Sequence, residues 1–261
     1  MKLFTCAMLV LIITGCSNPE KTTPIIMPGA YSMISQSFKG AAIDTTFTQH
    51  KQLKIYTGDY MMYVRLNPAD SVSAFGVGTY STDSGKLTEK IIYSATDTTE
   101  NTNTFSGTVN ITKTDAGYEQ VIPEIMSDKG KIRLTEEYKS ISAGAESPLD
   151  GVWKQDSAYF TVGKDTFQDK NVQYVIFYKG NFAFGYVASD VADKKHTSIV
   201  YGTFTLDNSK MKTTVVASSS RSSEGKTFDS EIMMNGVDEY TETNKADNGD
   251  KSIVKYKRLK K

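Results

Sequence analysis

The chain carries one sequence pattern twice, and this repetition limits its architecture more than any other feature. At an offset of 122 residues, Gly29-Ala30-Tyr31 aligns with Gly151-Val152-Trp153. The same offset aligns Leu53, Ile55, Tyr60, Met62 and Val64 with Val175, Phe177, Phe182, Phe184 and Tyr186. After a drift of two residues, Gly78-Thr79-Tyr80 aligns with Gly202-Thr203-Phe204, and later Tyr138-Lys139 aligns with Tyr256-Lys257. Self-similarity that keeps its order predicts two copies of one structural unit.

Each copy has the pattern of β-structure. Phe182, Phe184 and Tyr186 alternate with smaller residues, and a period of two is the strand signal. Turn residues interrupt the runs at short intervals, as in Lys179-Gly180-Asn181 and Asp83-Ser84-Gly85. Short turns favour antiparallel neighbours, and a long meander closes on itself to remove its edges. The sequence therefore predicts an all-β protein with two tandem antiparallel meander β-barrels of about seven or eight strands each.

Composition divides the chain into five segments. The run 142–148, Ser-Ala-Gly-Ala-Glu-Ser-Pro, is small and polar and is typical of a linker. It separates a first β domain, 25–141, from a second, 149–261. Residues 16–24 form a short polar tether, and residues 1–15 have the pattern of a signal peptide.

The N-terminal segment resembles the lipobox of bacterial lipoproteins. Lys2 precedes an apolar run that ends in Ile13-Thr14-Gly15-Cys16, and the run is too short to span a membrane. The resemblance implies cleavage before Cys16 and attachment of fatty acids such as palmitate to that cysteine, with the membrane as the partner. Ser17 is not the aspartate that retains some lipoproteins in the inner membrane. We therefore expect an outer-membrane lipoprotein of a bacterial cell envelope, facing the periplasm or the exterior.

The second unit resembles the lipocalin-like (calycin) barrels. Gly151-Val152-Trp153 opens it and Arg258 lies near its end. In that family the arginine lies across the tryptophan and closes one end of the barrel, a cation–π contact, so the resemblance implies a structural pair of Trp153 and Arg258. The first unit departs from the pattern, with Tyr31 and Ser140 at these places. The tandem arrangement is also similar to lipocalin-like lipoproteins of Bacteroidetes type.

Aromatic residues are the candidates for a ligand site. The second unit is dense in them, and we expect five to line a cavity: Tyr178, Phe182, Phe184, Tyr186 and Tyr201. The alternative is that they fill a small barrel, because an eight-stranded barrel is only just wide enough for a ligand. The first hypothesis is non-catalytic binding of a small apolar or amphipathic molecule. The second is a structural lipoprotein with filled barrels that contacts an envelope protein or glycan.

Several functions find no support in the sequence. No catalytic motif is present, so we expect no enzyme, no catalytic residues and no cofactor. A metal site at either histidine, His50 or His196, would need carboxylates beside it at a suitable spacing. His196 lies in Asp193-Lys194-Lys195-His196, whose lysines oppose a cation, so we expect no metal site. Thirty basic and thirty acidic residues leave the chain neutral, which argues against nucleic acid as a partner.

Overall fold

The computed structural model describes residues 27–67, 72–96, 99–127, 130–189, 195–246 and 248–260. The predicted signal peptide, Cys16 and the tether up to residue 24 lie outside the described residues. Within the described ranges, no helix has both the length and the apolar character needed to cross a bilayer.

The first sheet closes into a barrel. Its strands are β1 (Gly29–Gly40), β2 (Ile43–Phe47), β3 (Lys51–Thr57), β4 (Tyr60–Leu66), β5 (Ser73–Asp83), β6 (Lys86–Thr96), β7 (Glu100–Asn101), β8 (Phe105–Lys113), β9 (Gly117–Ser127) and β10 (Gly130–Ile141). All pairings are antiparallel, and β10 pairs with β1 to complete the ring. Eight strands form the wall. The short β2 extends the edge of β1 beyond β3, and the short β7 pairs with β6.

The second sheet repeats this plan. Its strands are β11 (Gly151–Val162), β12 (Asp165–Asp169), β13 (Val172–Tyr178), β14 (Asn181–Ser189), β15 (Lys195–Asp207), β16 (Lys210–Ser218), β17 (Thr227–Met234), β18 (Glu239–Lys245) and β19 (Lys251–Arg258). Pairing of β11 with β19 closes the ring, and β12 extends β11 as β2 extends β1. The prediction of two closed antiparallel β-barrels in tandem is confirmed.

The two barrels share their irregularities as well as their strand order. The β1–β10 register shifts between Met33 and Ser35, and the β11–β19 register shifts at the matching place. A second bulge precedes Gly78 in the first barrel and Gly202 in the second. A Cβ at Gly78 would collide with the carbonyl oxygen of Lys90, and one at Gly202 with that of Thr214. Both positions therefore require glycine, and bulges of this kind are features of a fold rather than defects.

The pairing register corrects part of the sequence alignment. Gly29 pairs with Tyr56, and Gly151 pairs with Phe177, so Tyr56 and Phe177 are equivalent. The true offset in these strands is one residue shorter than the offset of 122 used in the alignment. A slip of one residue moves a side chain to the other face of a strand. Structurally, Lys54 therefore corresponds to Val175.

The barrels pack against each other through matching outer faces. Strands β3, β4 and β5 contact their equivalents β13, β14 and β15. The ring of Phe75 lies so close to Gly185 that no larger residue fits there without displacing it. One buried apolar cluster spans both barrels, and it contains Ala30, Leu53, Ile55, Met62, Val64, Leu66, Phe75, Val77, Tyr93, Ala95, Val152, Tyr174, Ile176, Ala183, Val187, Ile199, Tyr201 and Ala217. Burying each large side chain of such a cluster contributes about 1.5–3 kcal/mol.

Candidate ligand-binding site

The interior of the second barrel, its lumen, contains a cavity of about 480 Å³. The inward positions of β13 and β14 supply much of its wall because successive side chains of a strand point to opposite faces. The wall is mainly apolar, with a polar stretch on β17, β18 and β19. The lining residues are Gln173, Val175, Phe177, Phe182, Phe184, Val200, Met211, Thr213, Val215, Ser223, Phe228, Ser230, Glu242, Asn244, Ser252, Val254 and Tyr256.

One end of this barrel is closed by Trp153 and Arg258. The guanidinium carbon lies 4.0 Å from the indole ring centre, the geometry of a cation–π contact. The indole Nε1 donates a hydrogen bond of 2.6 Å to the carbonyl of Leu149. Arg258 also donates to backbone carbonyls of Pro148, Asp150 and Val237. The first barrel has Tyr31 and Ser140 at the equivalent positions. There Tyr31 packs edge-on against Tyr56 and Tyr118 instead.

A layer of aromatic rings separates this closed end from the cavity. Tyr240 packs edge-on against Trp153, with ring centres 4.8 Å apart, and stacks on Tyr256 at 4.7 Å. Tyr240 is fully buried, and its hydroxyl has no hydrogen-bond partner among the described residues. Tyr256 donates a hydrogen bond of 2.8 Å to Gln173 Oε1. Phe177 and Tyr256 thus form the floor of the cavity.

The polar stretch of the wall centres on a carboxyl group, that of Glu242. Its Oε1 lies 2.9 Å from the Ser230 hydroxyl and 3.3 Å from Asn244 Nδ2. Among the residues that the structure describes, no Lys, Arg or His lines the cavity. Burial in the barrel raises the pKa of Glu242, although the bonds from Ser230 and Asn244 act in the opposite direction. The carboxyl therefore lies in a mainly apolar lumen, and none of the described lining residues is a cation.

The structure places the five aromatic residues that were predicted to line a cavity in different surroundings. Phe182 and Phe184 line the cavity. Tyr186 stacks on Phe184 and its hydroxyl bonds to Asn171, but it does not contact the cavity. Tyr201 belongs to the apolar cluster between the barrels, and Tyr178 packs against that cluster. These two residues therefore lie on the outer face, and the polar wall around Glu242 was not among the sequence candidates.

The lumen of the first barrel is built differently. Lys54 is 4% exposed, and its Nζ lies 3.1 Å from both Glu89 Oε1 and Gln120 Oε1. It also lies 5.2 Å from the ring centre of Tyr138. The carboxylate of Glu136 accepts hydrogen bonds from Gln36, Gln120 and Tyr138. Internal side chains thus hold this ion pair, and every carboxylate here has donors from the protein itself.

The pocket found in the first barrel is smaller and more polar than the cavity of the second. A pocket of about 230 Å³ is lined by Gln52, Lys54, Tyr63, Arg65, Ala74, Glu89, Thr96 and Glu136. In the part of the chain that the structure describes, no group of three metal-ligating side chains comes together. The larger, apolar cavity of the second barrel is therefore the better candidate for a ligand site.

No known protein family and no curated protein matches the sequence. Among solved structures, an uncharacterized protein of Saccharomyces cerevisiae, YLR301w, aligns over 90% of this chain and 99% of its own, with 9% identity and a TM-score of 0.46. Transferrin binding protein B of Haemophilus parasuis aligns over 91% of this chain and 77% of its own, with 8% identity and a TM-score of 0.26. At such low identities and scores, neither protein's function transfers to this chain.

Proposed function

We propose that this protein is a non-catalytic binding protein whose second barrel holds a small amphipathic ligand. The observation that supports this is the contrast between the two lumens. The second contains a cavity of about 480 Å³ with a mainly apolar wall, whereas the pocket of the first is about 230 Å³ and is lined largely by hydrogen-bonded polar side chains. Ligand pockets are typically concave, mostly apolar and provided with a few placed polar groups.

Anchoring to a membrane is the second part of the proposal. A lipid on Cys16 would hold both barrels at the outer membrane of a bacterial envelope, because two or more acyl chains are sufficient for stable attachment. Growth with radiolabelled palmitate, followed by capture of the protein, should show label on the wild type. Cys16→Ser should carry no label. Equal labelling of the two would remove the lipoprotein proposal and leave the barrel proposal intact.

Nile red, a neutral dye that brightens in apolar surroundings, tests the cavity directly. We expect it to bind at one site per chain and to be displaced by decanol. Val215→Phe should abolish binding, because Val215 is buried and lines the cavity. Val216→Phe is the matched control, since the adjacent Val216 is 56% exposed.

Two results would contradict the binding proposal. One is a folded wild-type protein that binds no Nile red. The other is equal Nile red binding by Val215→Phe and Val216→Phe, which would place the dye on the surface. Both variants should keep the wild-type circular dichroism spectrum, so that loss of fold is not mistaken for loss of binding.

A second candidate function is contact with an envelope glycan through an exposed aromatic pair. Phe160 on β11 and Phe167 on β12 stack with ring centres 5.3 Å apart, and they are 40% and 45% exposed. Exposed rings can stack on sugars. Cosedimentation with purified peptidoglycan should then depend on both rings and be lost in a Phe160→Ser, Phe167→Ser double variant. Unchanged sedimentation would remove this candidate.

A further inference from the structure

We propose that the ligand of the second barrel carries an ammonium group, which Glu242 binds, and an apolar body, which the aromatic wall contacts. This inference rests on the proposed binding function and names the chemical class of the ligand. It comes from comparing equivalent positions in the two lumens rather than from the cavity alone.

The pairing registers identify which residues of the two barrels are equivalent near Glu242. Tyr118 pairs with Tyr138 in the first barrel, as Tyr240 pairs with Tyr256 in the second. Gln120 and Glu242 each lie two residues beyond the first tyrosine of their pair. Gln120 in the first barrel therefore occupies the position of Glu242 in the second.

The first barrel shows what occupies the space beside this position. The ammonium of Lys54 lies 3.1 Å from Gln120 Oε1 and over the ring of Tyr138. In the second barrel the lysine is replaced by Val175, whose side chain is short and uncharged. Val175, Glu242 and Tyr256 all line the cavity. The second barrel thus keeps the tyrosine ring, has a carboxylate in place of the amide of Gln120, and lacks the ammonium. By the same registers, Thr213 replaces Glu89, the partner of the lysine in the first barrel.

The chemistry around Glu242 suits such a ligand group. Ser230 and Asn244 contact only Oε1, and no described side chain donates to Oε2. A carboxylate without a cation in an apolar interior is costly, and an ammonium from a ligand would offset that cost by a charge-assisted hydrogen bond. The face of Tyr256 would add a cation–π contact.

The rest of the wall determines what the ligand carries besides its charge. Phe177, Phe182 and Val254 are buried residues that face the cavity. They offer no hydrogen bond and favour an alkyl or aryl body. Phe228 also lines the cavity and is 46% exposed, so an extended apolar group could leave the barrel past it.

Three matched probes, decylamine, decanol and decanoate, separate the charge from the apolar body. At neutral pH, decylamine should displace Nile red at concentrations at least about tenfold lower than decanol, and decanoate should be the weakest. Glu242→Gln should remove the preference for decylamine and leave decanol unchanged. Glu231→Gln on the neighbouring strand is the control, because the Glu231 side chain is 62% exposed.

The outcomes distinguish this inference from the proposed function. Equal affinities for decylamine and decanol, or a preference for decylamine that survives in Glu242→Gln, would overturn the ammonium site while the binding proposal stands. Failure of all three probes and of Nile red to bind the folded protein would overturn both.

A second test supplies the ammonium from within the protein. Val175→Lys should place an ammonium beside Glu242, as Lys54 lies beside Gln120 in the first barrel. It should reduce decylamine binding at least about tenfold relative to Val175→Met, which is similar in size and uncharged. Val175→Lys should also melt at a higher temperature with Glu242 present than in the Glu242→Gln background. A melting temperature of Val175→Lys that does not depend on Glu242, or a chain that folds only as Val175→Met, would contradict the proposal.

Discussion

The two barrels share strand order, bulges and closure, yet their lumens have opposite character. The first holds a lysine, two glutamates and several glutamines in one hydrogen-bonded network, centred on Lys54. The second holds mainly valine, phenylalanine and methionine around a cavity. The same backbone thus supports a filled, polar interior and an open, apolar one. A fold of this kind does not determine whether a barrel binds anything; the inward side chains do.

Removal of Lys54 should have the largest effect on stability. Lys54→Met leaves Glu89 in the lumen of the first barrel without its cation, and breaking a buried pair costs about 3–5 kcal/mol. Val175→Met at the equivalent position of the second barrel is the control and should cost less than about 1.5 kcal/mol. Urea denaturation followed by circular dichroism measures both. Similar costs at the two positions would show that the first lumen does not depend on its ion pair.

Opening the closed end of the second barrel should have the second-largest effect on stability. Arg258→Met removes the contact over Trp153 and the hydrogen bonds to the carbonyls of Pro148, Asp150 and Val237, for a combined loss of about 2–3 kcal/mol. Ser140 is the equivalent residue of the first barrel, and Ser140→Ala should cost less than about 1 kcal/mol.

Fluorescence gives this comparison a local reporter. Trp153 is the only tryptophan of the chain and is fully buried, so its emission reports the closed end of the second barrel. In Arg258→Met the emission should shift to longer wavelength as water reaches the indole. Unchanged emission together with unchanged stability would argue against Arg258 as a closing residue.

The sequence was sufficient to predict the fold, but not which face of each strand lines the lumen. The repeat, the alternation and the glycines were sufficient to predict two antiparallel barrels, and the alternation also predicted that Phe182 and Phe184 share one face of β14. Tyr178 and Tyr201 were expected in the cavity because both faces of β13, β14 and β15 are apolar. One face lines the lumen and the other packs on the first barrel. Alternation of apolar residues alone cannot show which of the two faces lines the lumen.

The polar wall around Glu242 could not be predicted from sequence alternation. Glu242 lies in the run Tyr240-Thr241-Glu242-Thr243-Asn244, which is typical of a solvated strand. Its position inside the barrel depends on pairing with β17 and β19, and its isolation depends on Val175, which is distant in sequence. The one-residue slip in the repeat alignment also placed Lys54 opposite the wrong residue. The pairing registers were needed to bring these positions together.

Removing the hydroxyl of Tyr240 or that of its equivalent Tyr118 should have smaller effects on stability, and the two effects should differ in sign. In the first barrel the equivalent Tyr118 lies 3.5 Å from the hydroxyl of Tyr56, whereas Phe177 replaces Tyr56 in the second. Tyr118→Phe should therefore destabilise by about 0.5–1.5 kcal/mol, and Tyr240→Phe should be neutral or stabilise by about 1 kcal/mol. Thermal unfolding of the two variants measures this difference. A larger loss for Tyr240→Phe than for Tyr118→Phe would mean that the hydroxyl of Tyr240 has a partner in solution.

The smallest expected effect is the contribution of Glu242 to the pH dependence of stability. Burial holds the pKa of Glu242 above its ordinary value of 4.5, so the folded state favours the protonated form. This contribution to stability is fully present below pH 4.5 and is lost as the pH rises through the folded pKa. Two titratable groups near it, Tyr240 and Tyr256, have pKa values raised by burial well above 10.0 and stay neutral in this window.

Other carboxyl groups titrate in the same range, so the difference between wild type and Glu242→Gln isolates this one. The stability of the wild type relative to Glu242→Gln should decrease as the pH increases above 4.5. A saturating amine should reverse the trend, because an ammonium stabilises the ionised carboxylate and binding shifts the folding equilibrium. Melting temperatures of both proteins with and without decylamine test this. If decylamine leaves the pH dependence of the difference unchanged, the carboxyl of Glu242 does not contact the ammonium, and the ligand's charge must be met elsewhere in the barrel.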